Sequence, residues 1–478
     1  MQVNRRQFLR KSICAALGGA GLYSALGNVR LVSAAVGTRP PYAFGDYKAL
    51  VCIYLYGGND SFNMIVPTAG QAKIDYLASR GGLALTSGLV PLTPAAGTGP
   101  AGYALHPSMG DRTGTSIDQI PGNAGLGKLF NTGKAAIVAN VGSLVYPVTK
   151  AQYQNGSVPT PAQLFSHDDQ TTQWQTSRAD DANVDGWGGR IADLLYSSNS
   201  GQVPMGITLS GNNRFQRGAI INPYAMDPSG VTRLSYSDEG SEAWIIGADN
   251  SAGATAYNAL IAPGAQAHVL ERAYADAATR SIANYQIIDG ALGAVPTWTT
   301  PFPNSDLGAQ LQMVARLIGV RSALGMQRQV FFVSAGNYDT HSTQIQDQAD
   351  NLTTLSQALK AFYDATLQLG IADGVTAFTA SDFGRSLAVN SSGTDHGWGG
   401  HHFVVGGGVR GQRFYGAMPS LAPDNNPDDT GYAQIIPTLS VDQYAATLAR
   451  WFGVDAGGID DIFPNLGHFG NADLGFML

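Results

Sequence analysis

Ala49-Leu50-Val51-Cys52-Ile53-Tyr54-Leu55-Tyr56-Gly57-Gly58-Asn59-Asp60-Ser61 decides how this chain is read. A run of apolar, β-favouring residues stops at two glycines, an amide and a carboxylate. The unbroken run predicts a strand buried on both faces, as in a parallel sheet. Its carboxyl end must turn sharply and present Asp60 in a loop. Ligands of open α/β sheets sit outside the carboxyl ends of strands. Later segments repeat the pattern. An apolar run over 329–334 leads into Gly336-Asn337-Tyr338-Asp339-Thr340-His341, and one over 375–380 leads into Ser381-Asp382-Phe383-Gly384-Arg385. Thr394-Asp395-His396-Gly397 follows, ahead of a further apolar run at 403–405.

Outward from these segments, 134–142 and 203–209 also read as strands. Helical spacing marks 71–79, 125–132, 191–196, 265–288, 307–324, 344–369 and 440–452. Over 344–369, Leu352, Leu355, Leu359, Phe362 and Thr366 fall on one face and Gly370 stops the helix. Strand, loop and helix alternate throughout. The pattern predicts an α/β fold: a mostly parallel central sheet with helices on both faces. Residues 81–123 are rich in Gly, Pro and Thr and read as loop; 215–300 carry weaker signals and read as an insertion. The expected organisation is a signal over 1–35 and a single α/β domain over 36–478.

The chain has 478 residues, 44% hydrophobic and 13% charged, ample for a large core. A net charge of −7 argues against nucleic acid as the main partner. The N-terminus reads separately. Asn4-Arg5-Arg6-Gln7-Phe8-Leu9-Arg10-Lys11 precedes a small-residue apolar stretch, and Ser33-Ala34-Ala35 offers a cleavage site. This resembles a twin-arginine export signal, which implies the twin-arginine machinery as a partner and a periplasmic or secreted protein. Losing its five basic residues from −7 leaves the rest near −12. No other stretch reaches the ~18 apolar residues of a spanning helix, so no membrane span is expected in the mature protein. Of two cysteines, Cys14 lies in the signal and Cys52 in the first strand, where it reads as a small core hydrophobe.

Taken together, the strand ends collect Asp60, Asp339, His341, Asp382 and His396. In an extended segment residues two apart point the same way, so Asp339 and His341 can share one ion. Asp395 and His396 diverge, which leaves Asp395 as a supporting residue. So many carboxylates and imidazoles in one crevice call for a divalent cation. Mixed ligands of this kind suit Zn²⁺ or Mn²⁺, and Ca²⁺ less. Each Asp taken singly also reads as a helix cap or turn closer.

Tyr56-Gly57-Gly58-Asn59-Asp60, Ser166-His167, Gly186-Trp187-Gly188-Gly189-Arg190, Gly211-Asn212-Asn213, Asp339-Thr340-His341, Ser381-Asp382-Phe383-Gly384-Arg385 and Thr394-Asp395-His396-Gly397, in this order, resemble the DUF1501 family of exported proteins. That family looks like a distant branch of the alkaline phosphatase and sulfatase superfamily. The resemblance implies an alkaline phosphatase-like domain with insertions at about 81–123 and 215–300. It also implies an esterase site, in which Asp60 and Asp382 hold one metal and Asp339, His341 and His396 another. Ser166, at a helix N-terminus, would be the nucleophile, or else only an N-cap. His167 beside it would bind metal, protonate a leaving group or pack. Arg385 and Arg190 would clamp an anion, and Asn59 and Asn213 would supply amide donors. Trp187 and Trp398 read either as a sugar-stacking wall or as loop anchors. Three departures stand out. Phe383 occupies the place of the His that ligates metal in the phosphatases. The Asp339-Thr340-His341 spacing is shorter than the Asp-x-x-x-His of alkaline phosphatases, and no Cys/Ser-x-Pro-x-Arg motif of formylglycine sulfatases is present. The leading expectation is an exported metal-dependent hydrolase of phosphate or sulfate esters, acting on an anionic and possibly glycan-linked substrate. The alternative is a catalytically degenerate secreted binding or scaffolding protein with the same fold.

Overall fold

The computed structural model describes residues 42–111, 120, 122–181, 183–231, 235–238, 241–244, 252–295 and 299–478. The expected export signal lies outside them. The central strands are β1 (Lys48–Leu55), β2 (Ala135–Gly142), β3 (Gly206–Thr208), β4 (Tyr224–Ala225), β5 (Arg328–Ala335) and β6 (Val375–Ser381). A hairpin of β7 (Arg385–Asn390) and β8 (Gly393–His396) precedes β9 (Gly400–Gly406), β10 (Phe414–Tyr415) and β11 (Leu439–Ser440). The sheet runs β10-β2-β9-β6-β1-β5-β3-β4, with β11 also pairing β2. β1 pairs β5 and β6 in parallel, and β9 alone runs antiparallel, between β6 and β2. This is the mostly parallel sheet that the apolar runs predict.

The alternation along β1 shows why both faces are buried. Ala49, Val51, Ile53 and Leu55 enter one core, and Leu50, Cys52 and Tyr54 enter the other. The first core takes α6 (Asp306–Gly319), through Leu311 and Val314, and α7 (Gln344–Gln368), through Leu352, Leu355, Leu359 and Phe362. The second takes α5 (Trp187–Leu195) and α8 (Val441–Phe452), through Ile191, Leu195, Tyr444, Leu448 and Phe452. Three further helices complete the scaffold of the site: α1 (Ser61–Met64), α2 (Gly70–Arg80) and α4 (His167–Thr176), with α3 (Gly125–Asn131) leading into β2. Residues 81–123 are not all loop. Tyr103–Leu105 is a buried strand pairing Ile65–Pro67 and Val90–Pro91 in a small separate sheet. Within 215–300, β4 extends the central sheet, and the helix Val269–Leu292 sends Ile288 and Leu292 into the main core.

Candidate metal centre

The carboxyl ends of β1, β5 and β6 are adjacent, so their loops converge. Tyr338 N donates to Tyr56 O (3.1 Å), which ties the loop after β5 to the loop after β1. Glycine is required at the crossing. Gly57 has φ +116°, and a Cβ there would sit 2.3 Å from Asp339 N. Gly58 has φ +80°, and its Cβ would fall 2.2 Å from the Phe383 ring. The hairpin then places Arg385 directly opposite His396.

Three imidazoles and a carboxylate meet at this crossing. His341 Nε2 lies 3.0 Å from His396 Nε2 and 3.1 Å from Asp339 Oδ1. His396 Nε2 is 3.5 Å from Asp339 Oδ1, and His167 Nε2 is 3.6 Å from Asp339 Oδ2. Each ring is anchored through its other nitrogen. His167 Nδ1 is 2.7 Å from Asp382 Oδ2, His396 Nδ1 is 2.7 Å from Phe165 O, and His341 Nδ1 is 3.2 Å from Asp395 Oδ1. Carbonyl and carboxylate oxygens only accept, so each Nδ1 carries a proton, and a ring that is neutral aims its Nε2 lone pair inward. Arg385 Nη1 donates to Asp339 Oδ1 (2.8 Å) and fixes the carboxylate.

Charge follows from these contacts. The hydrogen bond to Asp382 raises the pKa of His167, outweighing burial. Burial pushes the His396 pKa down, against the pull of the Phe165 carbonyl. Burial also pushes Asp339 up, but the hydrogen bond and charge of Arg385, joined by His341 and His167, hold it below the usual carboxylate range.

The donor set suits a divalent ion. Ligands at about 2.0–2.1 Å from a tetrahedral ion lie roughly 3.3 Å apart, and the four separations above straddle that value. His167, Asp339 and His396 form one group whose ligand atoms all lie close enough to hold one ion, and Asp339, His341 and His396 lie within 3.0–3.5 Å of one another. His341 adjoins them.

The structure redistributes the expected roles. Asp339, His341 and His396 come together, and His167 joins them. Asp382 sits behind His167, where its Oδ2 also accepts from Gly57 N (3.0 Å). Asp60 is not brought to the cluster. Its Oδ1 accepts from Phe62 N and Asn63 N at the start of α1, and its Oδ2 accepts from Arg80 and Gln344 in a fully buried network. Those bonds engage both oxygens and make Asp60 a helix cap and an ion-pair partner. Arg385 is buried as well. Its guanidinium donates to Thr394 O and Oγ1, Gly57 O and the Asp339 carboxylate, so its donors are taken up within the protein. Arg190 donates to Asp185 O, Thr176 O and Ile462 O, so it too is committed to the scaffold. Ser166 N-caps α4 and donates its hydroxyl to Asp169 Oδ2 (2.7 Å). Asn59 Nδ2 points at Met64 Sδ (3.4 Å), and Asn213 closes a turn on Gln216. Trp187 and Trp398 are buried and anchor packing, with Trp398 Nε1 donating to Ser143 O (2.8 Å). Of the acceptors behind the rings, Asp382 and Asp395 are among the residues the sequence singles out, whereas Phe165 O is invisible there because a backbone carbonyl carries no residue signature.

A family model described as "Protein of unknown function (DUF1501)" matches residues 47–458, a span that holds every residue of this centre. The chain belongs to the DUF1501 family. No curated protein matches this DUF1501 chain. Among solved structures it is similar to Ps i-CgsB, described in complex with k-i-k-neocarrahexaose, at 10% identity and a TM-score of 0.32, covering 89% of this chain and 77% of that one. It is also similar, at 9% identity and a TM-score of 0.32, to a protein described in work on the metabolism of multiple glycosaminoglycans by Bacteroides thetaiotaomicron, covering 87% and 74%. Both likenesses are remote, and the architecture above rests on this chain's own strand order. Among the described residues no helix is long and apolar enough to cross a membrane.

Proposed function

We propose that His167, Asp339, His341 and His396 hold one divalent cation, Zn²⁺ or Mn²⁺ before Ca²⁺, and that the chain is an exported metal-dependent hydrolase. The observation that carries this reading is the 3.0 Å approach of two imidazole Nε2 atoms beside a carboxylate. With both Nδ1 positions protonated, two lone pairs face each other there, and a cation between them resolves the conflict. A bound ion would supply Lewis-acid polarisation of an ester and acidify water. The protein's residues do the rest. Asp382, Phe165 O and Asp395 hold the Nδ1 protons, and Arg385 fixes Asp339. Ser166 spends its hydroxyl on Asp169, so the reading assigns attack to water. Phosphate or sulfate esters are the substrate class that the resemblance to the alkaline phosphatase and sulfatase superfamily implies, and export rests on Arg5-Arg6 and the stretch after them.

Elemental analysis of protein loaded before export is expected to give about one metal per chain. Asp339→Ala and His341→Ala are each expected to lower metal affinity and hydrolysis of aryl phosphate or sulfate by at least ~100-fold. Protein that retains no metal and takes up none of Zn²⁺, Mn²⁺ or Ca²⁺ in titration would sink the reading. The inward commitment of Arg385 and Arg190 favours a second reading, a metal-bearing binding or scaffolding protein. Stoichiometric metal with no turnover of either ester class is the outcome that selects it.

A further inference from the structure

We propose that Gln170 is a positioning residue of the metal centre, joining through one buried side chain the two acceptors that orient His167 and His396. The proposal rests on the metal reading above. Gln170 lies three residues beyond His167 on α4 and is 1% exposed. Its Oε1 accepts from Phe165 N (3.2 Å), and its Nε2 donates to Asp382 O (3.3 Å). Phe165 O in turn takes the Nδ1 proton of His396, and Asp382 Oδ2 takes that of His167, both at 2.7 Å. The amide therefore spans from the loop before α4 to the end of β6, and each arm ends one residue behind a candidate ligand. The loop needs such a hold. Gln163 and Phe165 have φ of 51° and 72°, a left-handed backbone that non-glycine residues keep only where their surroundings enforce it. If Phe165 relaxes, its carbonyl turns from His396, and that ring is free to move its proton to Nε2 and lose its inward lone pair.

Gln173 supplies the control. It is buried on the same helix and donates to Ala162 O (2.8 Å) in the same loop, without touching either acceptor. Gln170→Leu and Gln173→Leu each remove one such side chain. Two measurements separate them: Zn²⁺ affinity by chelator competition, and imidazole ¹⁵N shifts of the chelated full-length protein. Gln170→Leu is expected to weaken Zn²⁺ about 10–100-fold and shift His396 from its Nδ1–H tautomer, while Gln173→Leu stays within about twofold of wild type. If Gln170→Leu does not fold, Gln170→Glu keeps an acceptor for Phe165 N but, when ionised, has no donor for Asp382. It is expected to preserve the His396 tautomer while weakening Zn²⁺. Wild-type affinity and wild-type tautomers in the Gln170 variants overturn the proposal. A wild-type protein that binds no Zn²⁺ overturns the metal reading instead, and the tautomers of the chelated protein then decide the role of Gln170.

Discussion

Asp60 and Asp339 both follow buried strands, yet their surroundings give them different work. Asp60 is enclosed with Arg80, whose Nη1 also donates to Ser386 O (2.9 Å) and whose Nε donates to Asn63 Oδ1 (3.2 Å). Removing the carboxylate leaves a buried guanidinium without its counter-charge, a change that costs about 3–5 kcal/mol. Asp60→Ala is therefore expected to lower urea-unfolding stability by about that amount, equally with and without chelator. The side chain of Asp339 is 46% exposed, and Asp339→Asn keeps an acceptor for Arg385. That variant is expected to lose metal while the chelated protein keeps its stability to within about 1 kcal/mol. A chelator-dependent loss in Asp60→Ala would return Asp60 to the metal site. The sequence makes Asp339 and His341 legible because residues two apart on an extended segment share a side. It hides the pairing of Asp60, since nothing local marks Arg80 as its partner or Gln344 as a second one. Likewise His167 reads equally as ligand, acid or packing residue until Asp382, 215 residues away, is seen to hold its Nδ1.

Strands buried on both faces announce themselves as unbroken apolar runs, which is why β1, β2, β5 and β6 are readable in advance. Their direction is not: β9 reverses because the short β7–β8 hairpin returns the chain, and no residue pattern states that. The buried strand Tyr103–Leu105 is hidden by its three-residue length amid Gly and Pro. Phe383 packs where the resemblance to the phosphatases implies a His. Its ring lies 4.8 Å from both the His167 and His396 rings and fills the space opposite Gly58. It walls one side of the centre with an apolar surface where the resemblance implies a ligand. Gly58 and Phe383 form one unit, so they should couple energetically. Gly58→Ala combines a left-handed alanine with an overlap on the ring and is expected to cost about 2–5 kcal/mol. Adding Phe383→Ala removes the overlap but not the backbone strain. The double variant is expected to be less destabilised than the sum of the two single changes by about 1–3 kcal/mol in a urea-unfolding cycle. Strict additivity would mean that the loop moves and the ring does not define it.

Five of the eight histidines fall in two kinds of place, and these bear on how the molecule responds to acid. His167, His341 and His396 stand at the sheet's carboxyl rim, while His401 and His402 are buried within β9. His401 Nδ1 accepts from Asn140 N (3.0 Å), a bond that a proton on that nitrogen would abolish. Burial pushes both His401 and His402 down to about 3 from an ordinary value of 6.5, with His401 adding to the effect on His402. Between those values the unfolded chain binds protons that the folded chain refuses. Stability therefore falls as pH drops below about 6.5, and each histidine contributes up to about 1.4 kcal/mol per pH unit over the middle of that window. His167 has its pKa raised, so its contribution has the opposite sign: stability present at low pH and lost as pH rises through its folded value. Metal held at the proposed centre would need the deprotonated rings and add a further loss toward acid, which chelation removes. His396, lowered by burial, and Asp193 and Asp442, raised by burial to about 6 and about 7, still titrate in the chelated protein, so the sheet's share is read from the difference between variants. Carboxylates add proton uptake of the same sign at the lower end of the window, which makes pH 5–6 the discriminating range. His401→Asn keeps an acceptor for Asn140 N and removes one titrating group. Urea midpoints of the chelated protein at pH 5–6 should show its proton uptake on unfolding reduced by about one relative to wild type. An unchanged uptake would mean that His401 is protonated in the native sheet. It would then have to shed its bond from Asn140 N, leaving that buried amide unpaired beside the irregularity between β9 and β2.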